Sequence, residues 1–256
     1  MLNLGAAPLT SLGTACCSCP LRTACPPCGA TGKQAQQHDP LQVFSRHRLL
    51  AGETLFRKGD AFESLHAVRS GSLKSSLTLA DGRTQVSGFH LPGDLVGLDG
   101  VADDCHQTTV TALEDTQTCA LDYRQLLERA QRLPSVQRDL HQLMSREASR
   151  AQWHMLMLGS MSAPERLAAL LLDLSRRAAS RGHSPSEFNI RMTRSDIGSY
   201  LGLSAETVCR MLGDFKALKL LEVETRHIRF VDLAAFQRTY SATVGWTAAA
   251  RVVAPH

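Results

Sequence analysis

Residues 192–219, MTRSDIGSYLGLSAETVCRMLGDFKALK, carry the clearest pattern of apolar and polar positions in the chain. Ile197, Tyr200 and Leu201 recur at helical spacing, which predicts a helix with one apolar face. Thr193 stands before it as a cap, and Asp196 lies in its first turn. Gly202 ends it in the left-handed position, and Leu203 plugs the turn. Ser204 then caps a second helix that buries Val208, Leu212 and Phe215 and leaves Glu206, Cys209, Arg210 and Asp214 on other faces. An ordinary αα-hairpin is the plain alternative. The order cap, helix, glycine, apolar plug, cap, helix, followed by a β-prone run, favours a helix-turn-helix whose second helix meets base edges in the major groove of DNA.

The pattern changes elsewhere. Over residues 49–121, short alternating runs are punctuated by Gly52, Gly59, Gly71, Gly82, Gly93 and Gly97, which predicts an all-β roll or barrel with a packed interior. Tyr123 to Arg132 reads as a short amphipathic helix ended by Leu133–Pro134. Pro134 then opens a long helix to about Gly159. Val136, Leu140, Met144, Glu147 or Ala148, Ala151, Met155 and Leu158 recur along it at steps of three and four. Such a seam suits pairing of two copies or packing on the helix's own domain; period alone does not choose. Ser162 and Pro164 open another helix, with Leu167, Leu170, Leu171 and Leu174 as its apolar stripe. FNIRMT predicts a short strand, and LLEVETRHIRFVD predicts a hairpin turning near Thr225–Arg226, the wing of a winged helix, where Arg226, His227 and Arg229 can face phosphate. The expected class is α+β. Its parts are a cysteine-rich segment and linker (1–40), a β-roll sensor (41–133), a long helix (134–161), a winged helix-turn-helix domain (162–239) and a mobile tail (240–256).

Composition adds constraints. The 256 residues are 43% hydrophobic and 20% charged, ordinary for a soluble protein. No apolar run is long enough to span a membrane, and the N-terminus lacks the pattern of an export signal, so a cytoplasmic protein is expected. The net charge of +4 is concentrated beyond residue 162, since residues 1–162 hold equal numbers of basic and acidic groups. No nucleophile–base arrangement suggests an enzyme. Dithiol exchange at Cys25–Cys28 would need a thioredoxin-like βαβ setting that the sequence lacks.

Five of the eight cysteines fall between Cys16 and Cys28. Without an export signal, metal or redox chemistry accounts for them better than disulfides. The pairs Cys16–Cys19 and Cys25–Cys28 suit tetrahedral zinc. Three of the cysteines joined by a distant fourth suit an iron–sulfur cluster. Spacing leaves both open.

Four stretches taken together carry a resemblance: LFRKGDAFESLHAVRSGSLKSS, GFHLPGDLVGLDG, ERLAALLLDLSRRAASRGHSPSEF and MTRSDIGSYLGLSAETVCRMLGDF. Over residues 16–236 the chain resembles the cyclic-AMP-receptor-protein superfamily, and within it the fumarate-and-nitrate-reduction regulator (FNR) branch. The resemblance implies an oxygen-labile [4Fe–4S] cluster on Cys16, Cys19 and Cys25, which fit the family's C-x2-C-x5-C register, with Cys119 in QTCALD as fourth ligand. Cys17 and Cys28 have no place in that pattern, and Cys105 reads as a loop thiol. No cyclic nucleotide is expected, because the Arg-Ser pair of nucleotide-binding members is replaced by His106 and Gln107 beside Asp103 and Asp104. The resemblance further implies a homodimer through Leu140, Met144, Ala148, Ala151 and Met155, and RNA polymerase as a partner, with no membrane. Ala151 stands where a well-known family pattern has an aspartate, which removes like-charge repulsion across a two-fold axis. DNA contacts would come from Thr193, Arg194, Ser204, Glu206, Cys209 and Arg210. Glu206 and Arg210 match the family's E-x-x-S-R signature for TTGAT half-sites, while Cys209 replaces the serine and is a poorer hydrogen-bonding group. The alternative on the same fold is a regulator with structural zinc or a thiol-redox site and a different signal.

Overall fold

The computed structural model describes residues 44–240. Eight strands form the roll: β1 (Phe44–Leu49), β2 (Thr54–Phe56), β3 (Ser64–Ser70), β4 (Leu73–Thr78), β5 (Thr84–His90), β6 (Leu95–Val96), β7 (Thr109–Ala112) and β8 (Thr116–Asp122). They make two four-stranded antiparallel sheets, ordered β1-β8-β3-β6 and β2-β7-β4-β5. Strand alternation sends Phe56, Val68, Leu73, Val96, Val110 and Ala112 into the interior between them.

Leu65, Ala67 and Leu121 belong instead to the core that the roll shares with two helices, α1 (Tyr123–Arg132) and α2 (Pro134–Ser160). Asp122 caps α1 by accepting from the Gln125 N–H at 3.0 Å, and Pro134 begins α2 where no N–H is needed. The five seam residues expected on α2 do not share one environment. Leu140 is 5% exposed and sits in this core with Val136 and Leu143, and Met144 packs against it. Ala148, Ala151 and Met155 are exposed, Met155 at 66%. The regular period hides a change of neighbour, from the chain's own sheet to solvent. Leu140 is therefore a core residue of its own chain.

The reader follows: α3 (Ala163–Ser180), β9 (Glu187–Asn189), α4 (Arg194–Leu201), α5 (Ala205–Ala217), β10 (Leu221–Glu224), β11 (His227–Phe230) and α6 (Leu233–Thr239). The Ser162–Glu165 capping box opens α3. The strand expected in FNIRMT is confined to β9, which pairs with β11 and completes a three-stranded sheet. α6, capped by Asp232, lies where the sequence pattern gave no separate element, and its Phe236 packs on Phe215 and Phe230. The reader's core also takes in Val86 and Phe89 of β5, so the roll and the reader share one apolar cluster.

Candidate nucleic-acid interface and the Cys119 site

Local chemistry builds the helix pair. Thr193 Oγ1 accepts from the Asp196 N–H at 3.0 Å, and Asp196 in turn accepts from the Thr193 N–H at 3.0 Å and hydroxyl at 2.7 Å. Asp196 is 7% exposed and also pairs with Lys74 of β4. Burial alone would raise its carboxyl, but Lys74 and Thr193 outweigh that and hold it below the usual value. Gly198 explains the close turn, since a Cβ there would lie 2.6 Å from the Leu203 carbonyl oxygen. Gly202 ends α4 at φ 65°, as the sequence predicts. Ser204 Oγ accepts from the Thr207 N–H at 3.1 Å and so caps α5.

Val208, Met211, Leu212 and Phe215 fix α5 to the core. Glu206, Cys209, Arg210 and Gly213, spaced along one helical face, are exposed. Both sequence-singled side chains with base-reading chemistry, Glu206 and Arg210, are thus presented together with Cys209 between them. A carboxylate can accept from a cytosine amine, and a guanidinium can fork onto guanine.

Other expected contacts are engaged within the chain. Thr193 and Ser204 act as caps. Arg194 donates to the Thr225 carbonyl oxygen at 2.9 Å, tying α4 to the wing turn. Burial pushes its guanidinium below the ordinary value, with the neighbouring Cys209 opposing. On the wing, Arg229 donates to Glu222 at 2.9 Å, whereas Arg226 stands exposed at the tip.

In the roll, the turn expected to lack a phosphate clamp is occupied from inside. The Asp99 carboxylate accepts from the Gln107 N–H at 2.9 Å and from the Thr108 N–H and hydroxyl at 2.8 Å each. His106 is buried and stacks on Phe56 with ring centres 3.6 Å apart. The backbone N–H groups that could meet an anion there already meet a carboxylate. On the opposite face of the β1-β8-β3-β6 sheet, Cys119 of β8 is half-buried, stands across from Ala67 and Arg46, and packs on the core shared with α1 and α2. Its setting fits a thiolate ligand, because a half-buried sulfur at the edge of a core can be reached by a second segment while water access stays limited. Cys16, Cys19, Cys25, Cys17 and Cys28 lie outside the described residues. Among the described residues, no group of three or more His, Cys, Asp or Glu is placed to hold a metal ion.

The sequence matches two family models, "Cyclic nucleotide-binding domain" over residues 46–132 and "Crp-like helix-turn-helix domain" over residues 165–239. It is 38% identical over 231 residues to the transcriptional regulatory protein btr of Bordetella pertussis, covering 90% of this chain and 95% of that one. It is 40% identical over 217 residues to the transcriptional activator protein FnrA of Stutzerimonas stutzeri (85% and 88%). With the fumarate and nitrate reduction regulatory protein of Escherichia coli strain K12 it shares 38% identity over 213 residues (83% and 85%). Among solved structures, FixK2 from Bradyrhizobium japonicum superposes with a TM-score of 0.71 at 30% identity, covering 77% of this chain and 96% of that one.

Proposed function

The chain belongs to the FNR branch of the cyclic-AMP-receptor-protein family and is a DNA-binding transcription regulator, not an enzyme; from that premise we propose that it is a homodimeric, oxygen-responsive regulator of genes for anaerobic metabolism. Cys16, Cys19, Cys25 and Cys119 are the residues that would hold a [4Fe–4S] cluster, which supplies an oxygen-labile centre. Cys119 supports this reading: it is half-buried and packs on the core that the roll shares with α1 and α2, so a ligand held there would be coupled to the packing of both helices.

The chain's own residues do the rest. Ala148, Ala151 and Met155 offer an exposed face of α2 to a second copy. Two recognition helices in such a pair read half-sites about one helical turn of DNA apart. Glu206 and Arg210 read bases, and Arg226 meets phosphate. The protein works in the cytoplasm together with RNA polymerase. No helix among the described residues is long and apolar enough to cross a membrane.

The test is iron and sulfide content after purification without air. The expected result is a brown protein that Cys119→Ser turns colourless. A colourless zinc protein would instead support the structural-zinc regulator and end the oxygen-sensing reading.

A further inference from the structure

The side of the roll that faces the reader holds a polar joint. Asp94 lies in the turn between β5 and β6 with its side chain 13% exposed. One carboxylate oxygen accepts from Arg150 of α2 at 3.0 Å. The other accepts from Arg177 of α3 at 2.9 Å and from the Leu91 N–H at 2.9 Å. A single side chain of the sensor therefore meets one guanidinium from the long helix and one from the reader. Both partners are held in turn. Arg177 donates to the Phe89 carbonyl oxygen at 3.0 Å and pairs with Asp173 at 2.8 Å, while Arg150 pairs with Glu147 at 2.8 Å. Such charge-assisted contacts are directional; without Asp94, Arg150 keeps Glu147 and Arg177 keeps Asp173 and the Phe89 carbonyl oxygen, but the two guanidiniums lose the partner they share.

Contacts around Asp94 extend the joint. The Val86 N–H donates to Ser199 Oγ of α4 at 2.8 Å, and the Phe89 and Tyr200 rings lie 5.1 Å apart. The reader is thus docked on the roll through α3 and α4, whereas Glu206, Cys209, Arg210 and Gly213 of α5 stay exposed. A masking contact would cover the reading face; this one leaves it open. Arg150 also lies between Ala148 and Ala151, on the stretch of α2 with the exposed pairing face.

We infer that Asp94 is a positioning residue for DNA binding: by holding Arg150 and Arg177 together it fixes the angle of the reader to the long helix, and so the spacing of two recognition helices in a dimer. Two half-sites on one duplex are engaged together only when that angle is right. The inference rests on the pairing proposed above, and the experiment separates the two.

The full chain, purified without air, is titrated with a duplex carrying two inverted TTGAT half-sites and with a duplex carrying one. Asp94→Asn keeps an acceptor for the Leu91 N–H and removes the charge. It is expected to lower two-site affinity about tenfold while leaving one-site affinity and the sedimentation of the dimer unchanged. Arg150→Gln, in which the turn is untouched, is expected to do the same. The double variant is expected to lose no more than either single one, as for residues acting through one contact. Unchanged two-site affinity in a folded variant would overturn the inference. Equal losses on both duplexes would overturn it too, since they mean a damaged reader and not a misplaced one. If Asp94→Asn does not fold, Arg150→Gln decides alone by the same two criteria. A parent chain that sediments as a monomer while binding DNA would contradict the pairing itself.

Discussion

The two sides of the sensor roll make contact in different ways. On one side, Leu65, Ala67 and Leu121 meet Leu126, Val136, Leu140 and Leu143 of α1 and α2, with Cys119 packed against them. On the other, Asp94, Lys74 and the backbone of Val86 and Phe89 meet α3, α4 and Arg150 through ion pairs and hydrogen bonds. Apolar packing is non-directional and depends on shape and volume. Charge-assisted bonds depend on angle and distance. A change beside Cys119 would therefore be felt as repacking of the long helix, while on the reader side directional bonds add to the apolar contact that Val86 and Phe89 make with the reader's core. In the proposed function, sensing would fall to the apolar side and placement of the reader to the side that carries the ion pairs.

That contrast can be broken first on the dry side. Leu140→Ala is expected to cost ~2–5 kcal/mol of stability in a denaturant titration, because it empties a site that its own sheet closes. Ala148→Asp, only two turns further on, is expected to leave unfolding almost unchanged and to weaken pairing by about tenfold or more, since in the proposed pair it would face its own copy across an apolar seam. Sedimentation checks the second. If the two variants behaved alike, the division of α2 into a core half and a pairing half would be wrong.

At the reading face the expected effect is smaller. Arg210→Ala should cost ~1–3 kcal/mol on a specific duplex and relax preference at one base pair. Equal loss on specific and random DNA would assign Arg210 to phosphate contact instead.

The polar side carries the smallest effect, through pH. Burial pushes the His90 imidazole down to about 4, with Asp94 opposing and Arg150 and Arg177 adding to the shift. His90 is therefore neutral in the fold, and its contribution is whole above its ordinary 6.5 and is lost as pH falls from there toward about 4. For Asp94, burial is outweighed by Arg177 and Arg150, which hold it at about 2, so its own contribution falls only below its ordinary 3.8. Between pH 7.5 and 6 the part of the loss due to His90 should stay under about 1 kcal/mol, and His90→Gln should remove that part while leaving the part due to His66, which burial likewise pushes down to about 4. Thermal unfolding at stepped pH measures both.

How much of this was legible in the sequence follows from how local each signal is. Thr193, Gly202 and Ser204 act within four residues of themselves, and all three take the places that their types predict. The need for glycine at Gly198 lies in its approach to the Leu203 carbonyl, which spacing does not display. Glycine-punctuated alternation was enough to foresee the roll. It could not show that β5 docks on α4, because Val86 and Ser199 are 113 positions apart and Lys74 and Asp196 are 122 apart. The long helix stayed open for a similar reason: a three–four period marks an apolar face without naming its neighbour, and Leu140 packs in the core that its own sheet shares with the helices. The resemblance places Arg194 among the DNA contacts, but its bond to the Thr225 carbonyl oxygen, 31 residues on, is one that no local pattern displays. Of the proposed cluster ligands, only Cys119 falls among the described residues; the leading three rest on register.

The central claim is that the state of the cysteine-held centre decides whether the two readers bind DNA together. The most direct measurement follows affinity for the two-half-site duplex, dimer fraction and visible absorbance in one anaerobic sample as air is admitted. The account predicts that all three fall in step, and that Cys119→Ser starts at the low end of each. Tight binding that persists after the colour is gone, or a protein that never carries iron and sulfide, would contradict it.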